Sequence, residues 1–189
     1  MNTFFAWGAR VSIAVAVLAA TAVLAAEPGP MVGATFPHDL AAADQMGKAQ
    51  SLGTLQGEKG VAVLFVRSAD WCPFCQGQLV DANRHLARFR ELGINVVSVS
   101  VDDVEEIAAF ARAQKIDYAM LADPKGEINL SLGIRDEQYP VGSAAFGVPR
   151  PTLYVLDNEG TIRLRYMEPT YRTRPDLAKV LRDIEALAL

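Results

Sequence analysis

The chain has 189 residues, 51% of them hydrophobic, with 18 basic against 22 acidic side chains and a net charge of −4. That is the size of one domain with its own core, and neither the charge balance nor any basic cluster makes an electrostatic case for nucleic acid. Two cysteines and two histidines would all be needed to close a four-ligand structural zinc site, and His38 and His85 are remote from the cysteine pair, so no metal is expected.

The first residues read as an export signal. Arg10 is the only charge before a run over residues 11–26 whose only polar members are Ser12 and Thr21, and the run ends in small residues before Glu27-Pro28-Gly29-Pro30. Cleavage near Ala25 or Ala26 is expected; the alternative is an uncleaved membrane anchor, for which the run is slightly short of the ~20 residues a bilayer needs. Export to the periplasm or beyond would let both cysteines be oxidised. Residues 27–60, rich in Gly, Ala and polar side chains, read as an N-terminal extension with one or two short strands, and residues 61–189 as the domain proper.

Residues 61–66 are a continuous apolar run, as expected of a strand covered on both faces. After Ser68, Ala69 and Asp70 comes Trp71-Cys72-Pro73-Phe74-Cys75. The apolar positions Cys75, Leu79, Ala82, Leu86 and Phe89 then step by four and three, which is helical spacing, and Gly93 supplies the stop. Cys72 thus falls just before a helix, with Pro73 in its first turn. Unpaired backbone N–H groups and the positive end of the helix dipole favour a thiolate there. Cys75 starts the apolar stripe and is expected to be shielded, one turn away and close enough to bridge. An exposed attacking thiol backed by a hidden resolving thiol suits disulfide exchange. A purely structural bridge is a poor alternative, because it would span too few residues to restrain much of the unfolded chain.

Further along, the β-branched run 94–101 predicts a second buried strand, and Val104, Ile107, Ala108 and Ala111 share one face of a helix over 104–114. A short strand over 118–121 ends at Asp123-Pro124, and a short helix through Ile128 and Leu132 stops at Gly133. Residues 135–149 show no period, and loops of that length are usually functional or disordered. Residues 152–156 and 161–166 flank Asp157-Asn158-Glu159-Gly160 as an antiparallel hairpin. A helix over 175–187 follows, with Thr173 as its expected cap. This order defines an α/β fold with a central mixed sheet flanked by helices on both faces.

The segment F-V-R-S-A-D-W-C-P-F-C at 65–75 resembles the active-site segment of the thioredoxin superfamily, and Pro151-Thr152-Leu153 opens the hairpin as that superfamily's cis-proline segment does. Within it the chain is similar to the AhpC/TSA, peroxiredoxin-like (redoxin) branch: Leu121-Ala122-Asp123-Pro124-Lys125-Gly126 with Leu132-Gly133-Ile134 resembles a segment that branch inserts, and Leu156-Asp157 with Gly160 matches its hairpin. The resemblance covers about residues 34–187 and implies a cis peptide before Pro151, with the Arg150 backbone beside the dithiol to pair with substrate. Two departures stand out. Val66 occupies the place of the buried carboxylate that thioredoxins carry six positions before the first cysteine, and no substitute proton acceptor is identifiable. Peroxiredoxins have threonine where this chain has Cys72, and an arginine at or beside Pro151; their alignment puts the peroxide-reactive thiol at Cys75.

The expected function is an exported thiol oxidoreductase cycling between the Cys72/Cys75 dithiol and its disulfide without a bound cofactor. Trp71, Pro73, Phe74, Arg150 and Pro151 are the expected substrate contacts. The substrate is a protein or small-molecule disulfide, or alternatively a peroxide, and either way a thiol electron donor is implied. The chemistry then has Cys72 attack and Cys75 resolve in exchange, or a sulfenic acid form in peroxide reduction. A non-catalytic thioredoxin-like binding module is the third reading. Arg67 reads as a charged strand end turned to solvent. Asp70 is a like charge that tunes a thiol, Trp71 an apolar platform, and the arginines at 163, 165, 172 and 174 a solvated face.

Overall fold

A computed structural model describes residues 27–37, 40–187 and 189; the leader-like run and His38 lie outside the described residues. Among the described residues, no helix is long and apolar enough to cross a membrane.

Strands β1 (Ala41–Ala43) and β2 (Ala49–Ser51) form a small hairpin. The main sheet has five strands in the order β5-β4-β3-β6-β7. Its centre is β3 (Gly60–Phe65), every residue of which is buried, as its unbroken apolar run requires. Strands β4 (Ile94–Ser100) and β5 (Ala119–Ala122) lie parallel to it through helices α1 (Pro73–Glu91) and α2 (Val104–Gln114). Strands β6 (Thr152–Asp157) and β7 (Ile162–Met167) complete the sheet antiparallel on the other side, and α4 (Leu177–Leu187) closes the chain.

Alternation along β3 divides the core. Ala62 and Leu64 join Leu79, Leu86, Phe89, Ile107, Val180 and Ile184 on the face covered by α1, α2 and α4. Val61, Val63 and Phe65 join Phe36, Leu52, Tyr154 and Ile134 on the other, which α3 (Glu127–Ser131) and the N-terminal segment cover. Helices therefore lie on both faces, though unevenly. The N-terminal segment is held by side chain as well as by packing: Arg165, half-buried, donates from Nη2 to the Pro28 carbonyl at 2.7 Å and approaches Glu27 at 3.7 Å. Arg165 is therefore not part of a solvated face.

Two glycines are fixed by geometry. Gly60 has φ +146°, and a Cβ there would meet the Leu156 carbonyl oxygen at 1.9 Å, so only glycine lets β3 approach β6. Gly93, at φ +75°, ends α1 and donates to the Arg90 carbonyl at 2.9 Å. At the start of α4, Asp176 rather than Thr173 does the capping: its Oδ1 accepts from the Ala178 N–H at 2.9 Å, while the Thr173 hydroxyl turns back to the Thr170 carbonyl.

The topology gathers four segments on one sheet edge. Residues after β3 and after β4 leave at the carboxyl ends of parallel strands, where α/β sheets place their sites. Because Phe65 pairs with Thr152 and Thr152 with Met167, the chain entering β6 and the chain leaving β7 arrive at the same edge.

Candidate active site

Ser68 and Asp102 build the loop that holds the cysteines. Asp102, 2% exposed, comes from the carboxyl end of β4. Its carboxylate accepts from the Ser68 hydroxyl (2.5 Å), the Ala69 N–H (2.5 Å) and the Ser100 hydroxyl (2.7 Å). Ser68 Oγ in turn accepts from the N–H groups of Asp70 (2.9 Å) and Trp71 (3.0 Å). Gln76 closes the turn by donating to the carbonyls of Ala69 and Asp70 at 2.9 and 2.7 Å. The buried charge is thereby fully hydrogen-bonded, the condition under which one is tolerated.

The loop delivers Cys72 as the N-cap of α1, with Pro73 in the first turn as the sequence predicts. Cys72 Sγ accepts from the Cys75 N–H at 3.4 Å, and the two cysteines are joined as a disulfide with Cα atoms 5.2 Å apart. The expected exposure of Cys72 is corrected: it is 2% exposed and Cys75 0%, both within the core cluster under α1. Capping the helix turns the Cys72 sulfur inward, and the exposed positions go instead to Trp71 (43%) and Phe74 (44%).

Arg67 is likewise corrected from solvent to interior. It is 7% exposed, and its guanidinium sits 5.0, 5.0 and 4.7 Å from the ring centroids of Trp71, Tyr139 and Tyr171. Each such contact is worth about 0.5–2 kcal/mol, and together they stand in for a counter-ion. Tyr139 comes from the irregular 135–149 stretch, and Tyr171, from the segment after β7, also packs edge-on against Phe74 at 6.0 Å.

Arg174 comes from that same segment. Its Nη2 lies 3.0 Å from Cys75 Sγ and 4.0 Å from Cys72 Sγ, so it too leaves the expected solvated face, whereas Arg172 stays exposed. No charge pattern in the sequence marks Arg174. It approaches Cys75 across 99 positions of chain, and only the β7 return explains its place. Val66 is fully buried and offers no proton acceptor.

The expected cis bond before Pro151 is absent: the described residues contain no cis peptide. Pro151 is an ordinary trans proline at a strand start. The Arg150 N–H is spent on the Ile134 carbonyl (2.8 Å) and the Pro151 carbonyl accepts from Glu168 (2.9 Å), so this backbone is not left open to pair with a substrate. Arg150, exposed, and Pro151, buried, line a polar cavity of about 240 Å³ with Asp136, Glu168 and Tyr171. Through Tyr171 the cavity adjoins the Arg67 cage, and Pro73 is exposed beside the dithiol.

A vicinal cysteine pair at a helix start, on the carboxyl edge of a five-stranded mixed sheet, defines a thiol-based oxidoreductase. Comparison with known proteins agrees. The model of the AhpC/TSA family matches residues 32–165. A putative peroxiredoxin of Mycobacterium tuberculosis is 32% identical over 141 residues, which are 75% of this chain and 87% of that protein. The chloroplastic peroxiredoxin Q of Gentiana triflora is 28% identical over 132 residues, 70% of this chain and 57% of that one. Among solved structures, a peroxidoxin from Mycobacterium tuberculosis superposes with a TM-score of 0.70 at 22% identity, covering 82% of this chain and 97% of its own. A peroxiredoxin-like protein from Aquifex aeolicus gives 0.72 at 18% identity, covering 85% and 90%. The chain belongs to the AhpC/TSA family and has the thioredoxin-like fold of the peroxiredoxins.

Proposed function

We propose that this protein is a thiol peroxidase in which Cys75 is oxidised first and Cys72 resolves it. The observation that carries this reading over exchange with a protein disulfide is burial. With Cys72 2% and Cys75 0% exposed, a molecule the size of a peroxide reaches the pair more readily than a disulfide fixed on a folded partner. The relatives named as peroxiredoxins support the same choice. The Cys75 thiolate attacks one peroxide oxygen, the O–O bond breaks, and the other oxygen leaves as an alcohol or water after taking a proton. Cys72 then displaces water from the Cys75 sulfenic acid, closing the disulfide. Two equivalents of an external thiol return the pair to the dithiol.

The test compares turnover of hydrogen peroxide, an alkyl hydroperoxide and a small disulfide by the same protein with one dithiol reductant. Peroxide turnover is expected to exceed disulfide reduction at least tenfold, and the reverse order would favour the exchange reading.

We also infer that the chain works outside the cytoplasm. The apolar run at 11–26 and the small residues before Glu27 support this. The protein isolated from its native cell is expected to begin within a few residues of Glu27 in a soluble fraction outside the cytoplasm; an intact Met1 in a membrane fraction would instead show an uncleaved anchor, and an intact Met1 in the cytoplasmic fraction would contradict export.

A further inference from the structure

Arg174 reaches the dithiol from beyond residue 165, where the family match ends. Its Nη1 donates to the carbonyls of Tyr171 (2.9 Å) and Thr173 (2.6 Å), which orients the guanidinium and leaves Nη2 to the sulfurs. Among the described residues neither Arg174 nor Arg67 forms a salt bridge with a carboxylate. The Nε atoms of both are buried without a hydrogen-bond partner. Burial, and then the like charge of Arg67, pull the Arg174 guanidinium down to about 10, with Glu168 opposing; it is still a cation at neutral pH. Arg67, buried, and Arg174, half-buried, have no carboxylate in direct contact, only Glu168 at longer range, so the pocket is short of an anion beside the sulfurs, and a disulfide supplies none. Reduction does supply one.

Two positive ends compete for that anion. The helix start offers Cys72 about half a charge through an N–H at 3.4 Å, and Arg174 lies 3.0 Å from Cys75 Sγ against 4.0 Å from Cys72 Sγ. The full charge makes its short, charge-assisted contact with Cys75, and that contact favours the thiolate there. We propose that Arg174 is a catalytic residue that sets the polarity of the pair: it holds Cys75 as the thiolate of the dithiol form and receives Cys75 as the leaving group when a reductant attacks Cys72. The oxidative half of this role rests on the peroxidase reading above. In the reductive half, the reductant's thiolate bonds to Cys72 Sγ, the S–S bond breaks, and its electron pair goes to Cys75 Sγ beside Arg174. A second reductant thiolate then displaces Cys72, which takes up a proton, and the reductant departs as a disulfide. Stabilising the thiolate in this way removes the need for the proton acceptor that Val66 lacks.

The test is the pH dependence of iodoacetamide alkylation, read separately for Cys75 in Cys72→Ser and for Cys72 in Cys75→Ser. Cys75 is expected to titrate below the ~8.5 of a free thiol, and adding Arg174→Gln is expected to raise its midpoint by roughly 1–2 pH units, a ~10- to 100-fold loss of alkylation rate at pH values below the original midpoint. Arg174→Lys keeps the charge, guards against a folding failure of the glutamine variant, and is expected to fall between. Cys72 is expected to move far less. A Cys75 midpoint unmoved by both substitutions, or a Cys72 midpoint below that of Cys75, would overturn the proposal. Alkylation needs no peroxide, so an Arg174-dependent Cys75 in a protein inert to peroxide would sink the peroxidase reading alone.

Discussion

Replacing Cys75 by serine is expected to abolish peroxide turnover, by at least ~10³-fold, while leaving the fold intact. The serine hydroxyl is nearly isosteric, and Cys75 is packed in the α1 core cluster, so the loss should lie in the chemistry. A hydroxyl beside Arg174 does not ionise near neutral pH and cannot carry the charge that attacks an O–O bond. Cys72 remains in that variant, with the 3.4 Å contact from the residue-75 N–H and the more distant Arg174 Nη2 at 4.0 Å to favour its thiolate. It is expected to form mixed disulfides with small thiols but not to reduce peroxide at a useful rate. Retention of more than a tenth of wild-type peroxide turnover in Cys75→Ser would place the first oxidation at Cys72.

The second large effect is on stability. Asp102→Ala removes a carboxylate that accepts three hydrogen bonds in a site only 2% exposed to water. The Ser68 hydroxyl, the Ala69 N–H and the Ser100 hydroxyl are left without their acceptor, each at about 1–3 kcal/mol when it finds no other. With partial relaxation the loss is about 3–5 kcal/mol, which in a domain of this size lowers the melting midpoint by roughly 10 °C. Thermal unfolding of the two proteins side by side measures it. The effect should reach the chemistry as well, because Ser68 Oγ also holds the N–H groups of Asp70 and Trp71 and so sets the entrance to α1. A midpoint within about 2 °C of wild type would mean that the loop does not depend on this anchor.

Short-range pattern carried most of the fold. The apolar run of β3, the four-and-three spacing of α1, its stop at Gly93 and the span of α2 are all local properties, and each stands in the structure where periodicity puts it. The dithiol at a helix start was legible for the same reason, since N-cap, Pro at the first position and apolar stripe lie within one short segment. What surrounds the dithiol was not. Tyr139, Tyr171 and Arg174 converge on Arg67 and Cys75 only because β6 and β7 return the chain to the sheet edge that β3 leaves. Arg67 was read by the general tendency of charges to face water, and three aromatic faces override that tendency. The cis proline came from resemblance alone, and the hydrogen bonds of Arg150 and Pro151 within the fold remove its basis.

The most direct measurement is the site of first oxidation. Reduced Cys72→Ser, treated with one equivalent of hydrogen peroxide in the presence of a dione that traps sulfenic acids, is digested and the peptide carrying residue 75 is weighed by mass spectrometry. A rapidly formed adduct on Cys75, absent from the matching Cys75→Ser experiment at Cys72, is the predicted result; an unmodified Cys75 peptide, with the adduct instead on Cys72 of the other variant, would contradict it.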